Sequence, residues 1–273
     1  MNKIFPVNYG GAKGLPAMQI QKMHDGLAKV ITPVAYLFNG VGASMAMLMV
    51  LLVAANVISR DFLGISLAGV VELEEIMLIV LVFGAMGHAQ LGNKHIGVDF
   101  FTARFSEETQ LKLACFTQVI SGFFFLMFTW QSVVISHTYW VENDTTLLLK
   151  ISKTPLTLVI ALGLLLLALA LIKDALKSSA ELVKQNQGVW AAFAWLFSII
   201  LILGVLAPEW FGWGIEADTY QWVWGVALLA LLFSGMLIGA ALGFLGVIGM
   251  AWCFGTDAGL GLMQTVPLSS TAS

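Results

Sequence analysis

Hydrophobic positions along the chain gather into long unbroken runs instead of the strict alternation that marks half-buried strands. Six runs are long enough to matter: residues 34–58, 73–92, 113–136, 155–172, 189–207 and 220–243. A helix needs about 20 mostly apolar residues to cross a hydrocarbon core about 30 Å thick. The pattern therefore predicts an all-α polytopic membrane protein with about six transmembrane helices. Ser106 followed by Glu107 and Glu108 suits a helix N-terminus, and Thr154-Pro155 places proline at a first helical position, so the third and fourth helices should begin there. The segment after Gly243, "FLGVIGMAWCFGTDAGLGLMQ", is apolar as well. It either extends the sixth helix or begins a re-entrant or partial seventh element.

Ahead of the first run, Ile20, Met23, Leu27, Val30 and Val34 recur at helical spacing, with Gln21, Lys22, Asp25 and Lys29 elsewhere on the wheel. This predicts an amphipathic helix lying on the membrane surface, its lysines near anionic phospholipid head groups. The alternative is a plain extension of the first helix into the cytosol.

Composition strengthens the membrane reading. Of 273 residues, 59% are hydrophobic and 11% charged, against about 25% charged in soluble domains. Mean hydropathy is +0.90. The first thirty residues lack the basic, apolar and small-residue pattern of a secretory signal, so the N-terminus is expected to be retained and cytoplasmic. That topology puts all but Arg60, Lys150 and Lys153 of the basic residues on the cytoplasmic side, in accord with the positive-inside rule. The outer loops then carry Asp61, Glu142, Asp144, Glu209, Glu216 and Asp218, with a belt of tyrosines and tryptophans. The net charge of −3 gives no nucleic-acid signature. Cys115 and Cys253 stand in apolar surroundings without metal or disulfide spacing, and are expected to be packed core residues.

Ionisable residues inside a membrane are costly and are functional candidates by default. Here they are Glu72, Glu74, Glu75 and His88. The glutamates open the second helix, whose N-terminal partial charge favours carboxylates. Glu72 and Glu75 share a face, and Arg60 at the end of the first helix is the nearest cation in sequence. An ion pair from Arg60 to Glu72 or Glu75, riveting the first two helices, is the expected arrangement. His88 is expected to be a hydrogen-bonded packing residue. It lies at the opposite end of the membrane from His137, which disfavours a pair of haem ligands, so no cofactor is expected. No nucleotide-binding or hydrolase motif occurs, no enzymatic activity is expected, and any transport would draw on an ion gradient or a partner ATPase. In "GMLIGAALGFLG", Gly235, Gly239 and Gly243 fall on one helical face, which predicts close approach of another helix.

In order and spacing, the amphipathic start, "NVISRDFLG" with Asn56 and Arg60, the acidic opening at Glu72, and "FGAMGHAQLGNKHIGVDFF" with Lys94 and His95 resemble the small membrane subunit of tripartite ATP-independent periplasmic (TRAP) transporters. The likeness covers roughly residues 20–175, as four spans with both ends inside. It implies a non-catalytic scaffold in the bacterial inner membrane, one part of a sodium-driven importer of organic acid anions. The implied partners are a large M-type permease subunit of elevator type, which this chain braces, and a periplasmic substrate-binding protein. Glu142 and Asp144 become candidate docking residues for the latter. The domain division that follows is 1–33 as the cytoplasmic N-terminus, 34–185 as the four-helix small-permease domain, and 186–273 as two additional helices with an apolar tail. Those last helices resemble a linker and the opening of the large subunit, as an extension of the small subunit or as part of a split fusion. The competing function is a self-sufficient ion-coupled carrier or channel using Glu72, Glu75 and His88.

Overall fold

The computed structural model describes residues 15–65, 68–92, 104–206 and 238–254, together with Ala230, Leu231 and Gly261. These residues form an all-α membrane protein of six helices: α1 (Leu15–Leu63), α2 (Val70–Leu91), α3 (Glu107–Glu142), α4 (Thr154–Lys184), α5 (Gly188–Leu206) and α6 (Ile238–Phe254). Among the described residues, three are long and apolar enough to cross a membrane by themselves: α1, α3 and α4.

Local chemistry sets the boundaries. Ser106 caps α3 by accepting the Thr109 N–H at 3.3 Å, and Glu107 and Glu108 fill the first turn. Pro155 sits in the first turn of α4, where its missing N–H costs nothing. Asn143, in the left-handed conformation at φ 52°, ends α3 while Asp144 N–H reaches back to the Tyr139 carbonyl. The α4–α5 turn is built the same way, with Asn186 at φ 63°, Asn186 N–H on the Val183 carbonyl and Gln187 N–H on that of Leu182. This tight turn folds α5 back as an antiparallel neighbour.

The expected surface helix and first span are not separate elements. α1 runs unbroken for 49 residues with Pro33 inside it. One missing hydrogen bond at a proline bends or weakens a helix without ending it when the flanking turns hold. The amphipathic segment and the first span are therefore one continuous helix. At 1.5 Å per residue α1 is about 74 Å long, more than twice the hydrocarbon thickness. At the other end, the sixth run was expected at 220–243, whereas the described helix covers Ile238–Phe254 and passes straight through Gly243. Residues 220–229 and 232–237 lie outside the described residues.

α4 is the central helix. In its most apolar stretch 56% of residues are buried, against 44% in α3 and 6% in α1. It packs on α1, α2, α3 and α5, while α6 rests on α3. Three apolar clusters mark these seams. Ile79 and Phe83 meet Ile160 and Leu164 between α2 and α4. Cys115 and Val119 meet Ala175, Leu182, Ala191 and Ala194 where α3, α4 and α5 join. Ile120 and Phe124 meet Ala240, Ala241, Phe244 and Val247 against α6.

Glycine brings α2 close to both neighbours. A methyl group built on Gly84 would stand 2.9 Å from the Phe38 carbonyl oxygen of α1, and one on Gly42 3.1 Å from that of Leu81. On the opposite side, a methyl on Gly87 would meet Leu166 Cβ at 2.9 Å, and one on Gly163 would collide with the Phe83 carbonyl. Small residues permit such backbone contact in membranes, where packing and not water exclusion holds helices together.

Candidate functional site

The acidic opening of α2 follows from the turn before it. Gly69 at φ 80° starts the helix without a side-chain cap, which leaves first-turn N–H groups and a partial positive charge beside Glu72. The α3–α4 connection folds over this end as a short hairpin. Thr145 and Ser152 form an antiparallel bridge, Thr146 N–H donates to the Ile151 carbonyl at 2.9 Å, and Lys153 N–H donates to the Asp144 carbonyl at 3.1 Å. Lys150 at φ 57° turns the tip. Glu72 then receives it: Oε1 accepts the Leu148 N–H at 2.6 Å and Oε2 the Leu149 N–H at 2.8 Å. A carboxylate with both oxygens on consecutive backbone donors makes short, charge-assisted bonds.

The expected Arg60 rivet is thus corrected. Among the described residues Arg60 pairs with its neighbour Asp61, Nε to Oδ1 at 3.3 Å, both side chains largely exposed. Glu72 does rivet two parts of the chain, but they are α2 and the hairpin before α4. Backbone amides outcompete the guanidinium because the hairpin holds them in place, whereas an exposed arginine surrenders side-chain entropy to reach across. Glu75 is half-buried on α2 and has no ion pair among the described residues. Asn56, also half-buried, does interact with a neighbour.

At the other end of α2, Gln90 is buried and donates to Asp174 of α4 at 2.9 Å. Lys173 holds the second Asp174 oxygen at 3.0 Å. Sequence reasoning placed Lys173 on the cytoplasmic side with the other basic residues and passed over Gln90 and Asp174. The available signal was an amide at the end of one apolar run and an acid at the end of another. His88, two residues before Gln90, packs edge-on against Tyr36 of α1 with ring centroids 4.6 Å apart. Its buried Nδ1 has no hydrogen-bond partner among the described residues, so this expected packing residue meets α1 through an aromatic contact.

A second polar seam ties α3, α4 and α5. Ser178 donates to Gln118 at 2.8 Å, Ser179 lies 3.4 Å from Cys115 Sγ, and Trp195 Nε1 donates to Ser179 at 3.1 Å. Beyond it Glu108 accepts from Lys112 at 2.6 Å and from Gln187, and Lys112 stands over the Trp190 ring. Cys115 is fully buried, as expected of a core residue; the Cys253 side chain lies outside the described residues.

The remaining candidates divide. Asp144 is committed to Lys153 at 3.0 Å, while Glu142 is exposed. Gly239 has open space where a methyl would go, and Gly243 faces the Phe124 ring at 3.1 Å instead of a helix backbone. The expected glycine face is therefore an aromatic contact at one of its positions. Gly235, Lys94 and His95 lie outside the described residues. Among the described residues no three His, Cys, Asp or Glu side chains gather as a metal set.

Residues 49–181 match the family model described as "Tripartite ATP-independent periplasmic transporters, DctQ component". The match spans the last third or so of α1, all of α2 and α3 and nearly all of α4, and includes Glu72, the hairpin and the Gln90–Asp174 bond. No curated protein matches the chain.

Proposed function

We propose, from the premise that residues 49–181 are a DctQ component, the small membrane component of a tripartite ATP-independent periplasmic transporter, that this chain is the bracing subunit of the complex. Its work is mechanical. It would hold a large permease subunit in place while that partner moves substrate, with a periplasmic binding protein delivering organic acid anions and a sodium gradient driving uptake.

The observation that carries this reading is the division of labour between the helices. Polar side chains between α2, α3, α4 and α5 bond to one another and stiffen the bundle, while α1 packs on α2 and α4 along one side and has only 6% of residues buried in its most apolar stretch. A rigid bundle with an open apolar flank suits a scaffold that receives another membrane protein. The same geometry weighs against the ion-relay alternative. Glu72 and His88 are sixteen residues apart on α2, about 24 Å, and Glu72 is already occupied by the hairpin amides.

α5 packs on α3 and α4, and α6 on α3, which supports residues 186–273 as an extension of the small subunit more than as the start of a split fusion. The distribution of lysine and arginine supports a cytoplasmic N-terminus. On that orientation Glu142 stands at the periplasmic end, where a binding protein would approach.

Affinity purification of the tagged chain from its native membrane tests the proposal. A large multi-span protein should co-purify, and uptake in proteoliposomes should require both chains. Uptake by this chain alone would overturn the bracing role.

A further inference from the structure

The hairpin between α3 and α4 ends in three consecutive leucines that no neighbour covers well. Leu147 is 85% exposed and Leu148 69%, while Leu149 leans on Gly69. Water is a poor environment for such an apolar tip. Three observations identify what meets it.

The first is depth. Glu72 is the third residue of α2, and it and Gly69 hold Leu148 and Leu149. The tip is therefore folded back beside the first turn of α2 and does not project away from the bundle. The hairpin also joins the ends of α3 and α4, two helices long and apolar enough to cross a membrane, which puts the tip toward a membrane boundary.

The second is its backbone. The N–H groups of Thr146, Leu148, Leu149 and Ile151 are all taken, by the Ile151 carbonyl, the two Glu72 oxygens and Thr146 Oγ1. A loop tip in water has no need of this, whereas one in contact with lipid must satisfy its donors internally.

The third is its surroundings. Trp140, 71% exposed at the end of α3, is a residue type that favours the membrane interface. Lys150, exposed beside the leucines, supplies a cation of the kind anionic head groups attract. Apolar, aromatic and basic groups thus stand together at the tip.

We propose that residues 147–149 insert into the head-group boundary of the adjoining leaflet, with Lys150 at the phosphates and Glu72 as the clamp that presents the tip. The occupant is a phosphoglyceride surface.

A fluorescent label at Leu147→Cys tests this, in full-length chain with Cys115 and Cys253 changed to alanine. The protein is placed in nanodiscs of phosphatidylethanolamine and phosphatidylglycerol. Blue-shifted emission, quenching by lipids spin-labelled near the head group, and weak quenching by iodide are expected. A label at Glu142→Cys should be quenched by iodide. Adding Glu72→Ala should release the tip and reduce lipid quenching at position 147. Strong iodide quenching without lipid quenching at 147 would overturn the proposal. So would a blue shift that arises only when a binding protein or a second membrane protein is added, because the seat would then be protein. Undiminished lipid quenching in Glu72→Ala would overturn the clamp.

Discussion

At Glu72 a single carboxylate decides how two distant parts of the chain meet. Replacing it with alanine should leave α2 helical but free the amides of Leu148 and Leu149, and hydrogen exchange at those two positions should rise sharply. Unchanged exchange would mean that the hairpin holds itself. Asp174→Leu should cost about 1–3 kcal/mol, because Gln90 would be left buried without its acceptor, and the melting temperature in detergent would report the loss. Gly163→Ala places a methyl against the Phe83 carbonyl, and overpacking of this kind costs about 1–3 kcal/mol. Gly239→Ala should be neutral in the same assay, since nothing lies within 4 Å. These residues also show how far the sequence could be read. That Glu72 ties elements together was legible from its place at a helix start. Its partner was not, because a pattern of side chains records charges but not backbone amides 76 and 77 residues away. The working glycines were missed for a related reason. Gly84, Gly87 and Gly163 become distinctive only once α2 is known to pass between α1 and α4.

Element boundaries were the most legible part of the fold. Ser106 and Pro155 announced α3 and α4, since caps and first-turn prolines act through local backbone chemistry. The continuity of α1 was less visible. A proline and a change from amphipathic to apolar pattern suggested two helices, yet hydrogen bonding on either side of Pro33 carries one through. The far end of α4 was not legible from the apolar run at 155–172, since Lys173 and Asp174 just beyond it are a bonded pair inside a helix that continues to Lys184. The seam of α3, α4 and α5 gives this scale its own test. Cys115 has no exposed surface and lies against Ser179, so a maleimide should leave it unmodified in the folded protein and label it only after denaturation. Rapid labelling in mild detergent would show that the seam opens.

Across the whole molecule, the matched family domain ends near the turn into α5, and the last two helices lean on α3 and α4 from outside. A chain cut after Gln187 should still assemble α1 to α4, with a lower melting temperature and a newly reactive Cys115, because Ala191, Ala194 and Trp195 no longer cover it. Failure of that shortened chain to fold would make α5 and α6 integral to the domain. The length of α4 carries a further consequence. From Thr154 to Lys173 is about 28 Å, close to the hydrocarbon thickness, and eleven more residues follow, about 16 Å. That overhang still buries Ala175, Ser178, Ser179, Ala180 and Leu182. With the hydrocarbon placed over that first stretch, one helix would be stabilised by two solvents. Its first part would be held by steric fit in lipid, and its last by exclusion of water. Urea should loosen the overhang while sparing the buried span, and a short-chain detergent should do the reverse. Hydrogen exchange along α4 would then show two independent melting fronts advancing from opposite ends.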